Sequence, residues 1–146
     1  MILRNDGSVA LDKITHACQV AADHYQKFAD SVDSDDLSNM FRRLAAMHRG
    51  QVACLDSLVR GMGELPSRPD PDLETLQRLG VWLRAAMADR ERDVLLHKAE
   101  DLERDVKNAI EEALRHELPD GEISIINEMH ANAGAALAQF SRALRK

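Results

Sequence analysis

The sequence predicts an all-α protein, a four-helix bundle in which one long crossover joins the second main helix to the third and contains a short extra helix. The composition is typical of helical bundles, with 45% hydrophobic and 30% charged residues and only five aromatic side chains. Four segments repeat apolar residues at alternating spacings of three and four, as in helices that pack side by side. Because 146 residues fall within the usual size of one domain, residues 1–146 are predicted to form a single domain.

The first two predicted helices are joined by a short turn. Ser8 is a suitable N-cap for the first, and the acidic cluster Asp33–Asp36 ends it and caps the next. The second helix ends near Gly61 and Gly63, where a left-handed residue is easily formed. The first seam consists of Leu11, Ile14, Cys18, Ala21, Tyr25, Phe28 and Val32, and the second of Leu37, Phe41, Leu44, His48, Gln51, Leu55, Leu58 and Met62.

The central segment, residues 72–117, is too long for one helix of this bundle, since it would extend roughly 69 Å against roughly 36 Å for its neighbours. We therefore expect a bend between Gly80 and Arg90, with a short helix before it that carries Trp82 and begins at Asp70-Pro71. The third main helix then runs from about Arg90 to Leu118. About 27 residues separate helices two and three, a length that allows the two helices to run parallel.

The fourth main helix follows a turn at Pro119-Asp120-Gly121. Its predicted seam places a histidine near the middle of the bundle and consists of Ile123, Ile126, His130, Ala133, Leu137, Phe140 and Leu144.

Charge and motif content exclude several functions. The formal charge is −6 with interleaved basic residues, which argues against nucleic-acid binding. The longest uncharged runs are shorter than the roughly 18 residues of a membrane span, and the start MILRNDGSV lacks a secretory pattern, so a cytoplasmic protein is expected. No phosphate-binding glycine loop or nucleophile motif occurs. The sequence favours a non-catalytic protein over an enzyme.

Several stretches in order resemble a known group of proteins. They are LDKITHACQVAADHYQKFA, LVRGMG, GVWLRAAM around Trp82, and EDLERDVKNAIEEAL with Glu100 and Glu103. Together with the helix order they resemble the ferritin-like superfamily, and within it small bacterial four-helix-bundle proteins of unknown function that are related to stress-associated proteins. The resemblance implies the fold, a metal-binding ancestry and ready self-association, and it implies no known reaction.

A di-iron centre of the ferritin-like type uses a Glu from each of two helices and Glu-x-x-His from each of the other two. Here Asn127 lies three residues before His130, Ala45 lies three before His48, and the first glutamate in the chain is Glu64. We therefore expect no metal cofactor. The alternative is a reduced site for iron or zinc whose candidate ligands are His48, Glu103 and His130.

The non-ligating interpretation of these three residues is favoured. Glu103 is expected to form a solvated pair with Lys107, and similar pairs join Glu100 to Arg104 and Glu111 to Arg115. His48 and His130 are expected to be neutral core imidazoles bonded to each other, to Gln51, to Asn127 or to water.

The remaining function is association. The fourth helix carries Ala131, Gly134, Ala135 and Ala138, and a helical glycine suggests close approach of another helix. That helix is either a second copy, with a dimer as first choice, or the short Trp82 helix of the same chain. The leading hypothesis is a self-associating, non-catalytic bundle, and the others are the reduced metal site and an adaptor that binds a partner helix near the crossover.

Overall fold

Five α-helices make up the described part of the protein. The structure, a computed structural model, describes residues 6–66, 73–88 and 92–145, and in the third helix the side chains of residues 77–85. The helices are α1 Asp6–Ser31, α2 Asp35–Gly61, α3 Leu73–Ala88, α4 Arg92–Ala113 and α5 Asp120–Leu144. No strand occurs within these ranges, and the all-α prediction is confirmed.

The four long helices form a bundle whose second and third members are parallel. α1 packs mainly on α2 and α4, α5 packs on α4, and of the helix pairs in contact α2 and α5 touch least. Residues from the start of α2, the start of α4 and the end of α5 line one pocket, so these ends lie together. α1 is therefore antiparallel to both α2 and α4, and α5 is antiparallel to α4. This is the predicted arrangement with one long crossover.

The crossover contains the predicted short helix, α3. It packs on α1 and α4, and it buries Leu79 and Leu83 there. Trp82 is half-buried, with its ring 5.9 Å from that of Phe28 on α1. The alternative in which this helix covers the small residues of α5 is therefore wrong. α3 continues through Gly80 to Ala88 and α4 begins at Arg92, so the predicted bend does not lie between Gly80 and Ala88. Residues 89–91 and the predicted start at Asp70-Pro71 lie outside the described residues.

Local chemistry explains the other helix ends. The Ser34 hydroxyl accepts a hydrogen bond from the Leu37 amide at 3.4 Å, which caps α2 as expected from the acidic cluster. Gly63 follows α2 with φ of 80°, a conformation that glycine adopts without steric cost. Ser8 lies inside α1 and is not its cap, because the helix already includes Asp6.

A cluster of aromatic rings fills the core beside the crossover. Tyr25, Phe28, Phe41 and Phe140 are completely buried, and Phe41 lies 5.8 Å from Tyr25, 5.4 Å from Phe28 and 6.1 Å from Phe140 between ring centroids. These distances are typical of favourable aromatic pairs. In the described ranges, no helix combines the length and apolar character that crossing a membrane requires.

Candidate functional site

A cluster of buried polar side chains lies next to the aromatic rings. We call Cys18, Tyr25, His48, Gln51 and Glu103 the polar cluster. Gln51 is 8% exposed and the other four are fully buried. Three helices supply these residues: α1 contributes two that are seven positions apart on one face, α2 contributes two that are three apart, and α4 contributes Glu103.

Glu103 is at the centre of the polar cluster. Its Oε1 lies 2.9 Å from His48 Nε2 and also 2.9 Å from the hydroxyl of Tyr25, which donates to it. The same hydroxyl lies 3.2 Å from the carbonyl oxygen of Ala99, one turn earlier on α4. One carboxylate oxygen therefore joins α4 to both α1 and α2.

Gln51 extends the network on the other side of the imidazole. Its Oε1 lies 2.7 Å from His48 Nδ1, and the Cys18 thiol donates to the same oxygen at 3.6 Å. Both ring nitrogens of His48 thus face oxygen acceptors. Only the imidazolium form donates from both nitrogens, so the hydrogen-bond geometry calls for a charged His48.

The electrostatic balance agrees with this geometry. Burial acts to lower the pKa of His48, but the nearby Cys18 and the hydrogen-bonded Glu103 carboxylate together outweigh burial and raise that pKa to about 10. At neutral pH, His48 is therefore protonated and paired with the Glu103 carboxylate. Burial and the neighbouring Glu103 charge hold the pKa of Tyr25 well above its usual value, so its hydroxyl remains a neutral donor.

The second oxygen of Glu103 is the unsatisfied position of the site. Oε2 is buried and has no hydrogen-bond partner among the described residues. Leaving such an acceptor without a partner costs roughly 1–3 kcal/mol, and more when it is charged. The polar cluster therefore retains one strong acceptor toward which a donor would be drawn.

His130 does not belong to the polar cluster. Its side chain is 37% exposed, and its Nε2 lies 3.1 Å from Glu111 Oε1, which lowers the pKa of Glu111. The prediction of a core histidine paired with His48 is therefore wrong. The reason is helix register, because α5 buries Ile126, Met129, Ala133, Ala136 and Phe140. Met129 takes the mid-seam position and leaves His130 at the edge.

The prediction for Glu103 is also wrong. Lys107 pairs with Glu111 at 4.0 Å, and Glu103 points into the bundle instead. The predicted pair between Glu100 and Arg104 is present, at 3.6 Å. One sequence signal marks the buried glutamate: Glu103 continues the three-and-four spacing of Ala99, Val106, Ile110 and Ala113, all buried on α4.

His48 is buried and contacts Gln51, as expected. It is charged, however, whereas a neutral imidazole was expected. Its charged partner, Glu103, lies 55 positions further along the chain. Tyr25 and Cys18 were predicted as core residues of the first seam, and their polar role was missed. Their spacing of seven on a buried face indicated that both point toward the same neighbours.

The arrangement fits a metal ion poorly. Of the three candidate ligands, His48 and Glu103 meet and His130 lies elsewhere. Their facing atoms are bonded to each other, and a zinc site needs three or four protein ligands. Within the described ranges, no group of three or more His, Cys, Asp or Glu side chains is arranged to hold a metal ion.

Comparison with known protein families identifies one family, whose match includes the residues of the polar cluster. The family described as Domain of unknown function (DUF2383) matches residues 6–116. The chain belongs to this family. The DUF2383 match spans α1 to α4 and includes every member of the polar cluster, whereas α5 and His130 lie beyond it. No curated protein matches the chain, and no solved structure does.

Proposed function

We propose that this DUF2383 protein is a non-catalytic, cytoplasmic bundle of ferritin-like ancestry that associates with a second copy of itself. The supporting observation is an uncovered row of small residues on α5. The resemblance to stress-associated bundle proteins supports a stress-related role for this assembly.

The polar cluster supports a structural role rather than catalysis. The His48 side chain is 1% exposed and that of Glu103 is completely buried, so a substrate does not reach their facing atoms. Tyr25 and Gln51 occupy further hydrogen-bonding positions around the pair. A buried network of this kind defines the register between α1, α2 and α4.

The row of small residues on α5 is the proposed contact surface. Ala131, Gly134, Ala135 and Ala138 are all exposed. A Cβ atom placed on Gly134 would have no neighbour within 4 Å, so no other described helix of this chain approaches there. Glycine in a helix costs up to about 1 kcal/mol relative to alanine, and close packing of a second helix offsets that cost.

A second copy suits this surface because the same row is present on each protomer. Across a two-fold axis, two rows of short side chains face each other, and the two α5 helices approach closely without loss of side-chain entropy. The surface carries no charge at its centre, so its burial leaves no unpaired ion. The proposed assembly is therefore a symmetric dimer built around α5.

The test is the mass of the purified protein in solution. We expect a dimer of the 16.3 kDa chain by light scattering, and a monomer for Ala135→Glu, which places a charge in the row. The matched control is Ala53→Glu, an exposed alanine on α2 that is expected to leave the dimer intact. Circular dichroism establishes that both variants fold. A monomeric wild type, or equal dissociation of both variants, contradicts the proposal.

The second candidate function is metal binding by a reduced site at His48 and Glu103. The observation in its favour is the buried Glu103 Oε2, which has no hydrogen-bond partner in the described part of the chain. Metal analysis after incubation with ferrous iron or zinc, without chelator, separates the candidates. Near-stoichiometric metal that is lost in His48→Ala and retained in His130→Ala supports the metal site. Metal-free protein supports the bundle without a cofactor.

The adaptor hypothesis has less support. A groove for a partner helix requires several exposed apolar residues, and among the described side chains of α3 only Val81 is a large exposed one, at 62%. Leu79 and Leu83 face the bundle. Self-association through α5 is therefore the better-supported interaction.

A further inference from the structure

A pocket opens at the end of the bundle where α2 and α4 begin and α5 ends. Its volume is about 340 Å³, and it lies beside the sparsely packed junction of α2 and α5. Leu37 and Met40 form an apolar part of the pocket wall, and Ser34 and Gln139 add polar groups to it. The volume falls in the range of small-molecule sites.

Three arginines from three different helices line this pocket. They are Arg43 on α2, Arg92 on α4 and Arg142 on α5, and among the described lining residues the one carboxylate is Asp36. The described lining residues thus carry three positive charges and one negative charge, a formal charge of +2, whereas the whole chain carries −6. The concentration of positive charge is therefore a local feature of this end of the bundle.

Two of these arginines have no counterion among the described residues. No ion pair or side-chain hydrogen bond joins the Arg43 or Arg142 guanidinium to another residue in the described ranges. By contrast, Arg104 pairs with Glu100 at 3.6 Å and Arg115 with Glu112 at 2.8 Å, each on its own helix. The pocket thus leaves guanidinium groups available to a ligand.

Arg92 connects two of the helices that line the pocket. Its Nη1 donates to the carbonyl oxygen of Ala143 at 3.0 Å, which connects the start of α4 to the end of α5. Its ion pair with Asp93 is long, at 3.7 Å, and the two side chains are 43% and 61% exposed. The remaining donors of the guanidinium are therefore free to act on a bound anion.

We propose that this pocket binds the phosphate group of a small phosphate monoester. A phosphate monoester carries about −1.5 to −2 charges at pH 7, which matches the formal charge of the pocket. The three terminal oxygens of a phosphate group can accept hydrogen bonds from guanidinium groups on several sides at once. A carboxylate has only two such oxygens and suits this arrangement less well. The positive ends of α2 and α4, which begin at the pocket, add to the attraction, and the negative end of α5 opposes it.

The other residues that line the pocket indicate which groups the remainder of the ligand should carry. Ser34, Gln139 and Asp36 offer hydrogen-bond partners for hydroxyl groups, and Asp36 also disfavours ligands with further negative charge. A compact polyhydroxylated phosphate ester fits this chemistry better than a polyphosphate. Binding is expected to weaken with added salt, because the contributing charges are exposed.

The test is calorimetric titration of the full-length protein with ribose 5-phosphate, inorganic phosphate and ribose. We expect binding of ribose 5-phosphate, weaker binding of inorganic phosphate and none of ribose. Arg43→Gln and Arg92→Gln should each weaken ribose 5-phosphate binding by about tenfold or more, because each removes a charge-assisted contact. Arg49→Gln removes the same charge from an exposed position of α2 outside the pocket and should leave affinity unchanged.

Melting curves establish that each variant folds, so a loss of binding is assigned to the missing side chain. The proposal is overturned if ribose 5-phosphate produces no binding heat, or if Arg49→Gln weakens binding as much as Arg43→Gln does. Equal affinity for ribose and ribose 5-phosphate also overturns it. Since Arg43 and Arg92 lie outside the small-residue row of α5, failure of this site is distinguishable from failure of the proposed dimer.

Discussion

At the scale of single residues, Glu103 is held on several sides by buried groups. It is completely buried, and one of its oxygens accepts from both Tyr25 and His48. A buried charge without its counterion costs far more than the same charge at the surface. The pair with His48 therefore determines how well α4 fits against α2.

Replacement of Glu103 tests that role. Glu103→Ala leaves the His48 imidazole buried without its carboxylate, and we expect a loss of roughly 3–5 kcal/mol in the free energy of unfolding. Urea denaturation followed by circular dichroism measures the change. The matched control, Glu112→Ala, removes a half-exposed carboxylate that pairs with Arg115 and should cost roughly 0.5 kcal/mol or less. Similar losses in both variants would show that the buried pair is unimportant for stability.

The same residue shows where sequence reasoning about side chains fails. Glu103 has Lys107 four positions later, which is the usual pattern of a solvated pair, and it also continues the buried spacing of α4. Local spacing supports both interpretations equally. The choice between them depends on a histidine 55 positions away, which the local pattern of α4 does not contain.

At the scale of helices, the end of α2 depends on backbone geometry. Gly63 has φ of 80°, and its amide donates to the carbonyl oxygen of Arg60 at 3.0 Å. A side chain in this conformation is disfavoured, whereas Gly61 still belongs to the helix. The two glycines are chemically identical but have different structural requirements.

Alanine substitutions distinguish these two glycines. We expect Gly63→Ala to lower the free energy of unfolding by roughly 1–2 kcal/mol, because alanine is strained at positive φ. Gly61→Ala should be neutral or stabilising by up to about 1 kcal/mol, since nothing lies within 4 Å of the added methyl group. Thermal unfolding of both variants provides the comparison. A Gly63→Ala protein as stable as the wild type would rule out the conformational requirement.

Helix register limits what was predictable for α5. The predicted and observed seams share Ile126, Ala133 and Phe140, and they differ in whether residue 129 or 130, and residue 136 or 137, is buried. Both choices have nearly the same apolar content, since Met129 and His130 are neighbours in an alanine-rich helix. The packing of α5 on α4 selects Met129 and places His130 against Glu111.

At the scale of the whole molecule, the buried pair links global stability to pH. The pKa of His48 is about 10 in the folded protein and close to its usual value of 6.5 in the unfolded chain. Between these values, the folded state holds a proton that the unfolded state has released. The contribution of this proton to stability is complete below about pH 6.5 and is lost progressively as the pH rises to 10.

We therefore expect the free energy of unfolding to fall with rising pH across this window, with a limiting slope of about 1.4 kcal/mol per pH unit from this group. Urea titrations between pH 6 and 9.5 measure the slope. His48→Gln removes the titrating group and should reduce the slope. We expect this variant also to be less stable than the wild type at pH 6. A wild-type protein whose stability is constant across the window, or a His48→Gln variant with the same slope, contradicts a charged His48.

The sequence by itself determined the helix content, the four long helices and the Trp82 helix of the crossover, and it allowed the second and third main helices to run parallel. These follow from apolar spacing, turn residues and connection lengths, which are local properties of the chain. Only the tertiary structure decided which polar residues meet. In the folded protein, His48 and Tyr25 both form hydrogen bonds with Glu103. His130 lies at the surface, and three arginines line one pocket. The physical reason is that helix rotation and the alignment of helix ends depend on packing between distant segments, and a rotation by one residue changes which side chains are buried.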